Sequence, residues 1–506
     1  MIQDVRGILS SLHRSGGRLW IENGMLCLQA PKGSLSAEDL TTIKVFRLDI
    51  IRALEGCGNT EYPPIHPRQR GCPIPLTALQ SRWLRWCGKV QKRAFSGPKT
   101  VSRVRGALDV DVLRLSLNEI LKRHESLRIR VVEFEGTLYQ EVDEIRPFAM
   151  EFIDLSVAFS KNDSERNCNL LFSDFFEEEV DVGVGPLCAA RLIKINSQEY
   201  ALALALHHIG SDAISTDIVH RDIWTSYSQL LEGITTPHLD LPIQFPDYAI
   251  WQALTYDTWF RRHSQYWRDR LTGTPATVIP SDTVSAKLET PVGEHLFLQF
   301  SDTLSDELRK VAQREKTLLA LVVLTIYVVC MSHWLSQSDL LVVFQSNGRF
   351  RPELENIVGF VTSLHHLRIT AEGGATLEEL LHRVANEFYA AYDHFDFDRV
   401  PDLLPELNTD LALSWTPVRG ERLANRTYLA NSTNEIHVES FPYLPDSGER
   451  FGVYAFDGAA GVYFSIAFRP DSLSRSAIER FRSNLIITAE RFARQPLARV
   501  SEIDLQ

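Results

Sequence analysis

Apolar residues recur along the chain in two spacings, one of which predicts strands and the other helices. Strand-like runs bounded by turn residues occur at 138–142, 200–206, 296–300, 340–345 and 461–468. Helical spacing occurs at 110–124, 213–231 and 304–331, where we expect a break within the last segment. Strands and helices that alternate in this way predict an α/β fold. The roughly 430 residues involved exceed one hydrophobic core, so we expect two lobes.

The first 56 residues have a pattern of their own. A short amphipathic helix is predicted before Gly16 and Gly17, and a second helix is predicted to start at Ser36. Between them, two alternating apolar runs flank Asn23-Gly24, and this dipeptide is the strongest short signal for a β-hairpin. We therefore predict a small helix–hairpin–helix module at 1–56, followed by a proline-rich linker at 57–72.

Composition narrows the functional classes. The 506 residues carry a net charge of -12, which disfavours a nucleic-acid surface. The seven cysteines are scattered and never spaced as CxxC, so neither a disulfide framework nor a structural zinc site is expected. The N-terminus lacks a signal-peptide pattern, and the apolar run at 318–331 is short for a membrane span. We expect a cytoplasmic protein without a membrane anchor.

The sharpest local feature is an apolar strand that ends in His207-His208, followed by Asp212 at the entrance to a helix. Neighbouring strand residues point to opposite faces, so one histidine is expected to face a cleft and the other to pack inward. Imidazole suits proton transfer near neutral pH. Two other interpretations stay open: histidines that merely pack in the core, and a zinc or iron site, although diverging histidines without a third ligand fit a metal poorly. No GxSxG, P-loop or GxGxxG motif is present.

These residues resemble a known family. The segment 207–213 is similar to the HHxxxDG motif of the condensation domains of nonribosomal peptide synthetases. Further motifs of that family follow in the same order: the opening motif at 75–86, RHExLR at 123–128, DYAxWQ at 247–252, and the segment from Asn347 to Arg368 that includes an FVNTL-like stretch. The first 56 residues resemble the β-hairpin docking domains found at the N-termini of such synthases.

The resemblance implies a fold and a division of the chain. Two chloramphenicol-acetyltransferase-like lobes would form a V-shaped pseudo-dimer, with the N-terminal lobe at 73–240 and the C-terminal lobe at 241–506. A tunnel between them would receive an acyl chain on the phosphopantetheine arm of an acyl or peptidyl carrier protein. By strand addition, the docking domain would bind a C-terminal peptide of an upstream synthase subunit. We expect the protein to have no cofactor of its own and to be a monomer.

The resemblance also implies residue roles. His208 would be catalytic, and would orient or deprotonate the attacking amine or hydroxyl. Asp212 would form a buried ion pair with Arg349, and His207 and Arg123 would have supporting roles. Ala213 stands where the family has glycine, but its backbone N–H is kept and would polarise the thioester carbonyl.

Several features lie outside these motifs or depart from them. The FVTSL stretch at 360–364 departs from FVNTL. The pair His365-His366 is interpreted as packing or tunnel lining, and Ser414 and Trp415 as candidate tunnel residues without a motif match.

A docking domain before a lone condensation domain resembles the stand-alone enzyme that releases the enacyloxin polyketide chain. For a protein of 506 residues, acyl transfer in trans to a freely diffusing hydroxyl or amine, which releases an ester or amide, is therefore the expected reaction. In a longer protein the same domain would instead form an internal peptide bond. The alternatives are an inert recruitment platform and an epimerisation domain. The latter carries an EGHGRE-like segment where this chain has QSNGRFR. Heterocyclisation is disfavoured because aspartates would replace the histidines.

Overall fold

In a computed structural model of the chain, most of the sequence from residue 63 onward is described. The described residues are 18–22, 25–29, 63–69, 71, 73–89, 97–156, 161–178, 180–234, 240–283, 293–394, 398–417, 426–429, 435–440, 450–458 and 461–506. Strands β1 (Arg18–Glu22) and β2 (Met25–Gln29) pair antiparallel with Glu22 opposite Met25. The hairpin predicted around Asn23-Gly24 is confirmed. The two helices predicted beside it lie outside the described residues.

The N-terminal half of the remaining chain is built on a six-stranded sheet in the order β14-β15-β4-β9-β8-β7. Its strands are β4 (Lys99–Arg105), β7 (Met150–Asp154), β8 (Cys188–Asn196), β9 (Glu199–Leu206), β14 (Arg426–Leu429) and β15 (Glu435–Ser440). The last two come from the C-terminal half and pair onto β4. The chain therefore crosses back over the division predicted at residue 240, and the two halves share a sheet.

Helix α1 (Ala78–Lys89) packs through Trp83 and Leu84 against an apolar cluster that includes the core of the C-terminal half. The faces of the sheet are covered by helices α2 (Val110–Arg123), α3 (Lys161–Glu177) and α4 (Ala213–Leu231). One apolar cluster joins the sheet to α2 and α4, and a second joins it to α3. A small sheet of β3 (Ile74–Pro75), β6 (Thr137–Val142) and β5 (Ile129–Phe134) lies beside them.

The second six-stranded sheet has the order β10-β17-β16-β13-β11-β12. Its strands are β10 (Glu294–Gln299), β11 (Asp339–Ser346), β12 (Ser363–Thr370), β13 (Ala412–Pro417), β16 (Phe451–Gly458) and β17 (Gly461–Phe468). Strands β11, β13 and β16 run parallel, so their carboxyl ends meet at one edge of the sheet. The residues that follow β11 at this edge include Arg349.

The helices of the C-terminal half complete the fold. They are α5 (Phe245–Leu271), α6 (Asp302–Arg314), α7 (Leu319–Leu335), α8 (Leu377–Asp393), α9 (Val400–Leu403) and α10 (Arg475–Arg494). Helix α7 is apolar on every side because it is the core helix, and its residues 320–331 are all buried.

The predicted elements can be compared with these bounds. The strands and helices predicted from spacing are confirmed, including the break in 304–331, where the helix direction bends by 108° between α6 and α7. Within the described residues no single helix has the length and apolar character needed to cross a membrane; only the bent α6–α7 pair reaches those values together.

Two glycines with positive φ give a test of the backbone. Gly348 has φ +64, and a Cβ there would lie 1.5 Å from the Val361 carbonyl oxygen. Gly136, in the turn between β5 and β6, has φ +75 and open space around it. Gly348→Ala should therefore lower the unfolding free energy by at least ~3 kcal/mol, because backbone must move. The matched control Gly136→Ala should cost only about 1 kcal/mol, the cost of a positive φ. Equal losses in urea unfolding would contradict the close approach at Gly348.

Candidate active site

The two histidines lie where β9 ends. The alternating Ala and Leu residues of β9 are buried on both faces of the strand up to Leu206. The His207 N–H donates to the Leu187 carbonyl at 2.8 Å. His208 then begins a single 3₁₀ turn, His208–Gly210. A Cβ on Gly210 would lie 2.4 Å from the Ser126 carbonyl oxygen, so this turn is pressed against the chain that follows α2. Both histidines thus directly follow a strand that is fixed in the core.

His207 is the inward member of the pair. It is 2% exposed, and its ring meets Trp83 edge-on with the centroids 4.8 Å apart. Its Nδ1 accepts the N–H of Ile209 at 3.3 Å, so Nε2 carries the ring proton in this arrangement. Burial, together with the neighbouring His208, lowers the pKa of His207 to about 3. His207 is therefore neutral at pH 7 and is held by its neighbours.

His208 has a different environment. It is half-buried, and its ring lies 5.0 Å from that of Phe360 at 32°. Nδ1 lies 3.3 Å from the Ser211 carbonyl oxygen, so Nδ1–H is the donor and Nε2 keeps its lone pair. Burial lowers the pKa of His208, and the Ser211 carbonyl and Asp212 offset part of this effect. A neutral imidazole with an available Nε2 can accept a proton near pH 7.

Asp212 caps the helix that follows. It is the N-cap of α4, and its Oδ1 accepts the Ser215 N–H at 2.8 Å in a capping box. Arg349 donates two parallel bonds to the same carboxylate, from Nη1 to Oδ2 at 2.9 Å and from Nη2 to Oδ1 at 3.0 Å. The Val361 N–H reaches Oδ2 at 3.2 Å. Both carboxylate oxygens are thus engaged, and the ion pair expected between Asp212 and Arg349 is present and buried.

The ion pair joins the two halves of the chain through the segment after β11. Arg349 also donates to the carbonyls of Asn347 at 3.0 Å and Ile357 at 2.9 Å. The Gly359 N–H donates to the Ser215 hydroxyl at 3.0 Å. These bonds hold residues 347–361 against the N-terminus of α4 and leave Phe360 beside His208.

Ala213 is the first residue of α4 and is exposed. Its N–H belongs to the first turn, whose N–H groups have no partner within the helix. The helix dipole adds partial positive charge at this end. The start of α4 can therefore stabilise negative charge next to His208 in the chain.

Arg123 lies in a second polar cluster. Its Nε donates to Asp222 Oδ2 at 3.0 Å, and His124 Nε2 lies 3.0 Å from the same oxygen. Burial alone would raise the pKa of Asp222, but the His124 hydrogen bond and the charges of Arg221, His124 and Arg123 hold it well below its usual value. This cluster joins α2 to α4 ten residues beyond Asp212, so Arg123 supports the helix rather than the His208 turn.

The other candidates lie on the second six-stranded sheet, His365 and His366 on β12 and Ser414 and Trp415 on β13. His365 packs on the α8 side, 5.2 Å from Phe388, with Nε2 3.0 Å from the Ser346 hydroxyl. Ser414 and Trp415 are neighbours on β13 and point to opposite faces. Trp415 packs against the main apolar core, so only Ser414 lies on the face away from it.

Three residues at the site were not among the predicted ones. Gln80, Trp83 and Phe360 contact the His207–Gly210 segment. Each lies within a motif quoted for the family, but the motif alone does not say which residue it will touch. Within the described residues, no group of three or more His, Cys, Asp and Glu side chains is arranged to hold a metal ion.

The chain matches two known protein families and several curated relatives. A family model described as a condensation domain matches residues 73–506, and one described as a TubC N-terminal docking domain matches residues 5–55. A protein of the linear gramicidin synthase of Brevibacillus parabrevis is 28% identical over 478 residues, which are 90% of this chain and 9% of that protein. Tyrocidine synthase 3 of the same organism is 27% identical over 410 residues, 79% of this chain and 6% of that protein. The chain thus spans less than a tenth of either relative.

Solved structures share the fold. The X-domain from teicoplanin biosynthesis superposes with a TM-score of 0.75 at 20% identity, over 88% of this chain and 100% of that one. The first condensation domain of the calcium-dependent antibiotic synthetase, in complex with a substrate analogue, gives a TM-score of 0.67 at 19% identity, over 87% and 100%. The mixed α/β fold expected from the sequence, with its chloramphenicol-acetyltransferase-like lobes, is confirmed.

The buried ion pair yields a thermodynamic prediction. Asp212→Ala or Arg349→Ala alone leaves an unpaired buried charge, so each should lower the unfolding free energy by about 3–5 kcal/mol. The double variant should lose clearly less than the sum, because no charge is left unpaired. The exposed pair Arg475 and Glu294 is the control, where single substitutions should cost under about 1 kcal/mol. Additive losses at Asp212 and Arg349 in denaturant unfolding would rule out the interaction.

Proposed function

Since the chain belongs to the condensation-domain family of nonribosomal peptide synthetases and carries a TubC-type docking domain, we propose that it is an acyltransferase. It would move an acyl, polyketidyl or peptidyl chain from a carrier-protein phosphopantetheine thioester to a hydroxyl or amine acceptor. The step would run in trans and release the chain as an ester or amide. The observation that carries the proposal is a neutral, half-buried His208 whose Nε2 is available.

The site suggests how the step would proceed. The acceptor oxygen or nitrogen attacks the thioester carbonyl carbon while His208 Nε2 takes its proton. The new C–O or C–N bond forms as the C–S bond breaks, and the proton returns to the departing pantetheine sulfur. Asp212 cannot share this work, because Arg349, Ser215 and Val361 already occupy its oxygens.

Charge develops on the carbonyl oxygen during attack. The Ala213 N–H at the N-terminus of α4 is the donor that we assign to it. A backbone donor needs no particular side chain, so alanine in place of glycine keeps the interaction. Holding thioester and acceptor together would supply much of the remaining rate enhancement.

The proposal also concerns partners. A docking domain and a condensation domain together imply carrier proteins and other synthase subunits as partners. We propose that strand addition to the β1–β2 hairpin captures a C-terminal peptide of the upstream partner. The phosphopantetheine would arrive on the partner, so this chain would need no resident cofactor.

A recruitment platform is the second candidate. The X-domain, which shares the fold, forms a complex with OxyB in teicoplanin biosynthesis. A platform would need no available imidazole nitrogen, whereas His208 combines a lowered pKa with partial exposure. Acyl transfer measured with and without the His208 imidazole separates the two.

His208→Ala should slow acyl transfer by about 10²–10⁴-fold, the usual contribution of a general base. An acyl-loaded carrier protein is mixed with the enzyme and candidate amines and alcohols, and acyl loss is followed by intact-protein mass spectrometry. His382→Ala, at an exposed histidine on α8, is the control and should react like wild type. If the His208→Ala variant causes acyl loss at the wild-type rate, His208 is not the proton acceptor. Carrier binding without any turnover would favour the platform.

The same assay has a pH signature. Because burial lowers the pKa of His208, its base form should persist as the pH falls from 8 to about 6.5, the ordinary histidine value. The value of kcat/KM should therefore stay level in that range and fall only at lower pH. A decline that begins near pH 7.5 would contradict an imidazole with a lowered pKa.

The docking domain gives a separate prediction. A chain that begins at residue 57 should bind the C-terminal peptide of its upstream partner at least tenfold more weakly than the full chain, because the hairpin is gone. Calorimetric titration of both chains with candidate peptides measures this. The two chains should process a free acyl-loaded carrier protein at similar rates. Undiminished peptide binding by the shorter chain would place the docking site outside residues 1–56.

A further inference from the structure

Helix α1 contacts the residues on both sides of His208. Gln80 and Trp83 are three residues apart and therefore share a face of the helix. Gln80 Nε2 donates to the Ile209 carbonyl at 2.8 Å, and the Trp83 ring lies against His207. His208 stands between the two contacted residues. The proposed proton acceptor is thus bracketed by one helix that comes almost 130 residues earlier in the chain.

The side-chain amide of Gln80 is itself held by hydrogen bonds to Thr77 and Gln140. It is fully buried, and its Oε1 accepts the Thr77 N–H at 2.8 Å. Gln140 Nε2 donates to the same Oε1 at 3.1 Å and to the Pro75 carbonyl at 2.7 Å. Because Thr77 requires an acceptor and the Ile209 carbonyl requires a donor, the amide has one allowed orientation. Its N–H is therefore aimed at Ile209.

The Ile209 carbonyl is a sensitive place to hold the turn. A 3₁₀ turn has weaker internal bonds than an α-helix, so external contacts decide its exact course. The peptide planes on either side of His208 set the direction of its side chain. The Ile209 carbonyl belongs to the next peptide plane, so the bond from Gln80 fixes the course of the turn one residue beyond His208. The Ser211 hydroxyl bond to the His207 carbonyl at 2.9 Å fixes the plane before His208.

We propose that Gln80 is a positioning residue for His208, and that it acts through the Ile209 carbonyl. The inference rests on the proposed function, in which His208 Nε2 accepts the acceptor's proton. Gln80 touches no substrate. Its effect is on where Nε2 points, so its loss should slow the chemical step and leave substrate binding nearly unaltered.

Gln80→Leu tests this directly. The variant cannot donate to Ile209, and kcat should fall roughly 10–100-fold while KM for the carrier protein changes less than threefold, as for a misplaced catalytic group. Two controls accompany it. Gln140→Leu removes bonds from the same cluster but keeps the Gln80–Ile209 bond, so it should lose stability yet retain most of kcat. Arg85→Ala lies on α1, where Arg85 pairs with Asp402, and should behave like wild type.

Gln80→Glu adds a pH readout that a purely structural role would not show. An ionised glutamate has no donor for Ile209, whereas the protonated acid can donate. Burial raises the pKa of such a carboxyl group, so the donor form returns as the pH falls. The activity of Gln80→Glu relative to wild type should therefore rise between pH 8 and 6. A constant ratio across that range would overturn the proposal.

A measurement without turnover keeps this inference separate from the proposed function. With ¹³C-labelled histidine, the ring resonance of His208 is assigned by its loss in His208→Ala. It should shift in Gln80→Leu and stay in place in Arg85→Ala. An unmoved resonance in Gln80→Leu overturns the positioning role whatever the activity. A shifted resonance in a protein that transfers no acyl chain supports the positioning and overturns only the proposed reaction.

Discussion

The buried contact between Asp212 and Arg349 is the constraint on which the site depends. Removing two charges from water is costly, and the cost is recovered only when the geometry is good and the remaining polar atoms are bonded. Here both carboxylate oxygens accept bonds from Arg349, which also donates to two backbone carbonyls, and of its guanidinium nitrogens Nε alone has no hydrogen-bond partner among the described residues. The charges come from opposite halves of the chain, one at the start of α4 and one beyond β11. The halves must therefore meet in one register, and that register brings Phe360 to His208.

The same register separates the roles of two adjacent histidines. His207 is enclosed by Trp83 and by its own turn, which leaves it neutral and without access to solvent. His208 lies one residue further, where the strand has ended, and it keeps partial exposure. The two imidazoles thus differ in solvent exposure because β9 ends at Leu206, just before them. Both oxygens of Asp212 are engaged in the bonds that hold the two halves together.

Local signals predicted the elements well and the contacts between them poorly. Helix α4 runs from Ala213 to Leu231 as expected, because Asp212 is a strong cap at its start. The hairpin could be predicted because Asn-Gly fits its turn. By contrast, nothing near Gln80 indicates that its amide will meet Ile209, and nothing near β14 and β15 indicates that they pair onto β4. These contacts depend on how the two halves assemble, and periodicity contains no information on that. The Asp212–Arg349 pair was anticipated only through the family resemblance.

The chain that leads from the docking domain is also tied to this assembly. Part of the segment interpreted as a linker is built into the fold: the Trp251 indole N–H donates to the Pro63 carbonyl at 2.6 Å, and Ile65 is buried. Arg68 bridges Glu125 and Asp247, at 2.7 and 3.0 Å.

The docking family match ends at residue 55, and the eight residues from there to Pro63 span at most about 28 Å. A partner bound by the docking domain would therefore stay tethered to the fold at Pro63. A short tether raises the effective concentration of whatever the partner carries, provided that the tether can reach. Residues 63–69 thus anchor the tether against Glu125 and helix α5, so that docking would keep the partner close to the rest of the chain.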